Sequence, residues 1–216
     1  MYNPDNSLSK SSPSPDSTER TIGSFEEEMK KIKTPEELLS FMNERLQYGF
    51  VGKEDGKIYS PKLEGWGEGE SPEPALRSPE ETLESGYGDC WGQTELERHW
   101  FMTNGEEYEF KTFLLRIGAG SDIDQKNPAH TMLVYKKDDK WYWFENTLDS
   151  HCGIHEFEDL DTLLEDVKNK FISEFTPTED DLQTFKLYEY GETRPHECDN
   201  PGEFLSRVAN EGKLYG

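Results

Sequence analysis

Hydrophobic and polar positions repeat with two different periods along the chain, and they predict helices first and strands later. In EELLSFMNERL, residues 36–46, apolar side chains recur every four positions, as on one face of a helix. Between residues 109 and 147 the runs EFKTFLLRI, HTMLVYK and WYWFENT are aromatic and β-branched, which predicts strands. The short KDD between the last two runs predicts a hairpin. The helical period returns over residues 160–175.

Four capping signals mark the predicted helix starts. SFEE at Ser24, TPEE at Thr34 and SPEE at Ser78 are capping boxes, in which a hydroxyl and a glutamate three residues later satisfy free N–H groups. NPGE at Asn200 is a variant with an amide cap. A fifth helix is predicted from Cys90 to the Asn-Gly pair that ends CWGQTELERHWFMTNG. Together these elements predict an α+β fold with a mostly antiparallel sheet.

Composition indicates one domain behind a polar N-terminal extension. The chain has 216 residues, of which 12% are aromatic, and this is enough for one sizeable core. Residues 1–22 are rich in Ser and Pro, which predicts a disordered leader before a single domain over residues 23–216. Residues 51–77 mix charges with Gly and Pro and predict a long surface loop, in which Trp66 either binds a ligand or anchors the loop.

The excess of acidic residues narrows the classes of partner. There are 46 acidic and 23 basic residues, and the formal net charge is −23. A phosphate backbone would be repelled, so we expect no nucleic-acid partner. A basic peptide or protein would be attracted, although the same acidity also serves solubility alone. Without an apolar run of membrane-spanning length or a signal-peptide core, a cytoplasmic location and no membrane partner are expected.

The segment GYGDCWGQ, residues 86–93, places a cysteine at a predicted helix start. If Asp89 caps this helix, Cys90 lies in the first turn, where free N–H groups and the helix dipole favour the reactive thiolate. The two preceding glycines would let a substrate carbonyl approach. A buried cysteine that packs as a small hydrophobic residue explains the same local pattern equally well.

A nucleophilic thiol needs a base, and the base needs an orienting group. His99 lies too far along the helix that Cys90 begins, whereas His130 opens a predicted strand that can face the helix start. The predicted hairpin brings the end of the next strand near His130. Glu145 or Asn146 can therefore accept a hydrogen bond from the His130 ring, and strand alternation allows only one of them to do so.

These residues resemble the transglutaminase-like superfamily, which shares its catalytic layout with papain-type enzymes. Its members carry Gly-x-Cys-Trp at a helix start, a His that opens a strand, and Trp-x-x-x-Asp-x-Thr on the next strand. The corresponding stretches here are GDCW (88–91), His130 and WYWFENT (141–147), with Glu in place of Asp. From about residue 40 onward the chain is also similar to small transglutaminase-like proteins of bacteria and phages, through stretches such as CWGQTELERHWF and GIHEF.

The resemblance implies a papain-like α+β domain in which the nucleophile helix packs on an antiparallel sheet. It also implies a triad of Cys90 as nucleophile, His130 as base and Glu145 as orienting acid. The backbone N–H of Cys90 is the expected oxyanion donor. Further residues that could contact the oxyanion or the substrate are Gln93, Tyr87, Trp66, Trp91 and Asn146.

The expected reaction is hydrolysis of an amide or peptide bond through a thioacyl intermediate, without a cofactor. Acyl transfer or deamidation at protein glutamine is the alternative within the same superfamily. An alternative of another class is a non-enzymatic acidic decoy protein that binds a basic partner and keeps the triad as a relic.

The remaining histidines and cysteines raise a metal alternative. Three cysteines, an odd number, and the lack of a secretion signal argue against a disulfide framework. HCGIH and HEC contain His and Cys at short spacing, but paired zinc ligand sets are not evident, and Gly153 interrupts the first run. A zinc site is therefore not expected for His151, Cys152, His155, His196 and Cys198. The resembling proteins contain GIHEF without a second paired set, which implies a structural role for His155 near the edge of the site.

Overall fold

The computed structural model describes residues 24–64, 72–117, 128–175, 179 and 183–215. The predicted leader over residues 1–22 lies outside these residues, and so does Trp66. Within the described residues, no helix combines the length and the apolar character that crossing a membrane requires.

Six α-helices occur in the described part of the chain, close to where capping signals and periodicity predicted them. They are α1 (Phe25–Lys31), α2 (Pro35–Arg45), α3 (Pro79–Ser85), α4 (Cys90–Asn104), α5 (Leu160–Phe175) and α6 (Pro201–Glu211).

Ten strands accompany these helices among the described residues, and six of them form one antiparallel sheet. In chain order they are β1 (Gln47–Tyr48), β2 (Phe50–Val51), β3 (Ile58–Tyr59), β4 (Tyr87–Gly88), β5 (Glu109–Arg116), β6 (Ala129–Lys137), β7 (Lys140–Glu145), β8 (Gly153–Phe157), β9 (Lys186–Tyr190) and β10 (Lys213–Tyr215). The large sheet has the order β10-β9-β5-β6-β7-β8, and two small sheets pair β1 with β4 and β2 with β3. The mixed α+β class is therefore confirmed.

The β6–β7 hairpin has the predicted turn and register. Lys137 pairs with Lys140 and Leu133 pairs with Phe144, so only two residues form the loop. Those residues, Asp138 and Asp139, both have positive φ angles, of 49° and 66°. Such a turn matches the right-handed twist of the strands, and it fixes which residues at the other end of the hairpin lie side by side.

Helices cover both faces of the large sheet. Alternate residues of β6 and β7 point to opposite faces, which divides the core into two clusters. The cluster shared with α1–α4 includes Met42, Leu96, Trp100, Phe101, Leu133, Tyr135 and Phe144. The cluster beneath α5 includes Met132, Val134, Trp143, Leu163, Val167 and Phe171. A third cluster joins α6 to β5 and β9 through Leu114, Tyr190, Phe204, Leu205 and Val208.

The capping signals behave differently from one helix to the next. At α3 the box is complete, because Ser78 Oγ accepts the Glu81 N–H at 3.3 Å and the Glu81 carboxylate accepts the Ser78 N–H at 2.9 Å. Thr34 and Asn200 also accept the N–H group three residues ahead. The box predicted at Ser24 is wrong, because its side chain makes no cap hydrogen bond and α1 begins with backbone bonds to the Ser24 carbonyl alone.

The segment 51–77 carries more regular structure than its composition predicts. Strand β2 begins one residue before this segment and pairs with β3 inside it, so the described part of the segment contains a short hairpin. Lys53 Nζ binds the Glu73 carboxylate at 2.8 Å and the Asp199 carbonyl at 2.8 Å. These bonds tie the segment to the chain just before α6. Strands of two residues give no periodic signal, which is why the sequence suggested only a loop.

Candidate functional site

Cys90 is the first residue of α4, as predicted. Asp89 precedes it with extended backbone and caps the helix, accepting the Gly92 N–H at 2.9 Å. The cysteine is 8% exposed, so its sulfur lies in a nearly closed setting rather than on the surface. First-turn N–H groups and the helix dipole favour negative charge at this position.

Contrary to the prediction from the sequence, the two glycines before Cys90 do not let a substrate carbonyl approach. Gly86 ends α3 in the left-handed conformation, with φ 72°, which disfavours a side chain. A Cβ at Gly88 would lie 2.8 Å from Gln93 Cγ and 2.9 Å from Thr82 Cγ2. The space beside Gly88 is therefore filled by the protein's own side chains, and it is not an opening for a substrate carbonyl.

His130 and Glu145 form a buried pair at the end of the sheet. The Nε2–H of His130 donates to Glu145 Oε2 at 2.8 Å, and the two side chains are 3% and 2% exposed. The His130 ring stacks on Phe171 of α5 with a centroid distance of 6.1 Å. Cys90 also acts on this ring and helps to raise its pKa, and because Nε2 is bonded to Glu145, the ring nitrogen left for the sulfur is Nδ1. The structure therefore brings sulfur, imidazole and carboxylate together in that order.

The second carboxylate oxygen of Glu145, Oε1, also accepts hydrogen bonds. Oε1 accepts the Thr147 N–H at 2.7 Å, the Thr147 hydroxyl at 2.9 Å and the Leu148 N–H at 2.8 Å. The chain turns immediately after β7, so these donors surround the carboxylate. The longer arm of Glu, compared with the Asp of the resembling family, spans from this turn to the ring.

Charge stabilises both members of the pair. Burial opposes the charged form of His130, but Glu145 and the hydrogen bond with Cys90 outweigh it and raise the pKa of His130 to about 10. For Glu145, burial works against ionisation, yet His130 and the N–H groups of Leu148 and Thr147 lower the pKa of the carboxyl. The geometry and the charges therefore favour an imidazolium–carboxylate pair next to the sulfur.

A third carboxyl, Glu97, lies near the triad and was not singled out in the sequence. It lies two helical turns after Cys90 on α4, and its buried Oε2 has no hydrogen-bond partner among the described residues. Burial and the neighbouring Glu145 raise the pKa of Glu97 well above its ordinary value, which His130 only partly offsets. Burial and Glu145 therefore both disfavour a negative charge on Glu97, whereas Glu145 is the carboxyl that bonds His130.

Gln93 and Asn146 form a separate amide pair beside the triad. Asn146 Nδ2 donates to Gln93 Oε1 at 2.5 Å, and Gln93 Nε2 donates to the Gly88 carbonyl at 2.8 Å. Asn146 thus faces Gln93 while Glu145 faces His130, which is the alternation predicted for these neighbours. Gln93 is buried.

A groove of about 560 Å³ runs along this amide pair. Its walls come from α2, β1, the segment 51–77, α4, α5 and the segment after β7. Most of the lining residues are polar; they include Asn43, Gln47, Tyr48, Lys62, Gln93, Asn146, Thr147, Asp149, Cys152 and Glu174. Tyr48 is the residue here that sequence reasoning missed. It lies on a strand of two residues, and its only sequence signal is an aromatic side chain directly after a helix.

The other predicted substrate-side residues lie apart from this groove or outside the described residues. The Tyr87 ring packs closely against Gly49. The Trp91 ring packs against Phe204 of α6, with centroids 5.1 Å apart, so it anchors the helix start to the core. Trp66, proposed as an oxyanion donor, is among the residues that the structure does not describe.

The histidines and cysteines of the metal alternative have separate partners. The His155 ring bonds the His151 carbonyl at 2.7 Å, and His151 Nε2 lies 3.5 Å from Glu174. Cys152 donates to side-chain oxygens of Asn43 and Asn146. His196 faces Glu95, and Cys198 packs in the α6 cluster. Over the described ranges, no three His, Cys, Asp or Glu residues are grouped so that they could hold a metal ion.

Comparison with known proteins does not show a family for this chain. No family model matches the sequence, and no curated protein matches it.

Proposed function

We propose that this protein is a thiol enzyme that acts on a carbonyl group through Cys90, His130 and Glu145. The observation that carries the proposal is the buried His130–Glu145 hydrogen bond of 2.8 Å beside a cysteine that begins a helix. This is the nucleophile, base and orienting group that covalent thiol catalysis requires. The layout also agrees with the papain-like arrangement that the sequence resemblance implies.

In the proposed reaction, Cys90 attacks an amide carbonyl carbon and its proton resides on His130. The C–N bond then breaks as His130 returns the proton to the leaving amine, and a thioester remains on Cys90. Water attacks the thioester next, with His130 taking its proton. The C–S bond then breaks, so the acid product leaves and the Cys90 sulfur and protonated His130 are restored. Glu145 remains ionised throughout and stabilises the imidazolium. Hydrolysis of an amide or peptide bond is the net result; a primary amine in place of water would give acyl transfer.

The charge of the molecule supports a basic peptide or protein as the substrate. The net charge is −23, and the groove beside the amide pair carries Asp149 and Glu174 against a single lysine. A field of this sign concentrates cations near the site.

Acylation of Cys90 by p-nitrophenyl acetate tests the proposal without knowledge of the natural substrate. We expect one acetyl group on Cys90, located by peptide mass mapping, and its loss over time as water hydrolyses the thioester. In H130A the acylation rate should fall by about 10²-fold or more, the scale of general acid–base catalysis. A primary amine that accelerates deacylation would favour transfer over hydrolysis.

The matched control is H99A, which removes a histidine from α4, the helix that Cys90 begins. His99 lies 3.3 Å from Glu26 and has no contact with the triad among the described residues, so H99A should be acylated like the wild type. Equal acylation of the three cysteines, or an H130A rate equal to that of H99A, would reject the enzyme proposal and favour the acidic binding protein.

A further inference from the structure

Tyr48 occupies a fixed position next to the nucleophile. Strand β1 runs parallel to β4, and Tyr48 lies opposite Gly88, two residues before Cys90. The Ser60 hydroxyl, which is buried, donates to the Tyr48 carbonyl at 2.7 Å, and the Gly49 N–H donates to the Gly88 carbonyl at 3.3 Å. Backbone bonds on both sides therefore hold the tyrosine at the wall of the groove that Gln93 and Asn146 also line.

The hydroxyl of Tyr48 is available, whereas the neighbouring amides are engaged. Gln93 and Asn146 bond to each other, and the Gln93 amide nitrogen also bonds to the Gly88 carbonyl. Within the described residues no hydrogen-bond partner occupies the Tyr48 hydroxyl. A phenol that lines a groove with no internal partner can donate to a bound molecule.

The electrostatic surroundings keep this hydroxyl protonated. The Tyr48 side chain is 37% exposed, and partial loss of hydration together with the neighbouring Cys90, Asp89 and Glu145 raises the pKa of its hydroxyl above the ordinary value. Tyr48 lines the groove together with Gln93, one helical turn after Cys90 on α4, and Asn146, the residue after Glu145. A protonated phenol on this wall can donate a hydrogen bond to negative charge that develops on an attacked carbonyl.

We propose that Tyr48 is a catalytic residue whose hydroxyl donates a hydrogen bond to the carbonyl oxygen that becomes an oxyanion when Cys90 attacks. This inference rests on the thiol chemistry proposed above. The backbone N–H of Cys90 supplies the second donor, because Asp89 takes the Gly92 and Trp91 N–H groups of the same turn. Tyr48 fills the role that the sequence assigned to Gln93, Tyr87 or Trp66.

Two reactions of the same sulfur separate this role from a merely structural one. Acylation by p-nitrophenyl acetate forms an S–C bond at a carbonyl carbon, passes through an oxyanion and expels nitrophenolate. Alkylation by iodoacetamide displaces iodide at a saturated carbon and forms no oxyanion. In Y48F the acylation rate of Cys90 should fall by about 10²-fold, as on loss of one oxyanion donor, while the alkylation rate should equal that of the wild type.

The matched control is Y142F, because the Tyr142 hydroxyl bonds Glu156 at 3.1 Å on the far part of β7. Both rates should be unchanged in this variant. Acylation of Y48F at the wild-type rate would overturn the role of Tyr48, and so would an equal loss of both rates, which would mean that the tyrosine only shapes the site. Absence of acylation in the wild-type protein would instead reject the underlying thiol chemistry, so the two failures are distinguishable.

Discussion

The buried pair of His130 and Glu145 shows how opposing effects are resolved at a single site. Burial penalises both charges, yet four hydrogen bonds converge on the Glu145 carboxylate, one of them from the His130 ring. Charge-assisted hydrogen bonds to fixed donors recover what desolvation costs. The outcome is a histidine held in the charged form and locked in orientation beside Cys90.

This pairing makes stability depend on pH in a defined direction. The pKa of His130 is about 10 in the folded protein, above its ordinary 6.5. The stabilisation from His130 is therefore complete below pH 6.5 and is lost as the pH rises toward and through 10, while Glu145 stays ionised across this window. The difference in unfolding free energy between wild type and H130Q should decrease by at most about 1.4 kcal/mol per pH unit between pH 7 and 10.

Urea unfolding of both proteins at several pH values measures this difference. Taking the difference removes the titration of the other groups, which the two proteins share. A difference that is constant from pH 7 to 10, or that grows with pH, would mean that His130 is neutral in the folded state.

At the scale of elements, the motifs SFEE at Ser24 and SPEE at Ser78 allow a comparison of two similar helix starts with and without a cap hydrogen bond. Ser78 and Ser24 both stand three residues before a glutamate, but only Ser78 accepts a cap hydrogen bond. S78A should lower the unfolding free energy by about 1 kcal/mol, the usual value of a lost N-cap. S24A should leave it unchanged, because no such bond exists. Equal losses in urea unfolding would show that the two caps do not differ in solution.

The sequence predicts some of these elements well and others not at all, for physical reasons. Helix α4 and the β6–β7 hairpin were predicted because a cap, a periodic core and a two-residue turn are local signals. Strand β8, GIHEF, was not predicted as a strand, since it becomes one only by pairing with β7. The β1–β4 pair joins residues 40 apart in the chain, and its strands of two residues carry no pattern. Tyr48 was missed for that reason.

The difference between local signals and pairing of distant residues also explains which site residues could be predicted from the sequence. Cys90, His130 and Glu145 sit at the ends of long elements, where spacing and alternation fix neighbours. The partners of Gln93 could not be predicted, because they depend on how the turn after β7 approaches the first turn of α4. The sequence therefore predicts that Cys90, His130 and Glu145 lie close together, but it does not predict the groove.

At the scale of the whole molecule, packing from distant parts of the chain holds α4 in place. Glu95 of this helix is fully buried and lies 3.5 Å from Arg98 and 3.8 Å from both Arg194 and His196, which belong to the segment before α6. Burial raises the pKa of Glu95 to about 7, although both arginines oppose this shift. The nucleophile helix is thus anchored to the C-terminal part of the fold as well as to the sheet.

The three cysteines provide the most direct test of the central claim, because the fold gives them contrasting surroundings. Cys152 is exposed, while Cys90 and Cys198 are buried. Partial loss of hydration around each thiol raises the pKa of both Cys152 and Cys198. Accessibility alone therefore favours modification of Cys152, whereas the triad favours Cys90.

The measurement is competitive alkylation of the native protein by a limiting amount of iodoacetamide at pH 6, with all three sites quantified by peptide mass mapping, and the same reaction in urea. We predict that Cys90 takes most of the label in the folded protein despite its burial, and that the three sites react alike once unfolded. Preferential labelling of Cys152 in the folded protein would contradict the account.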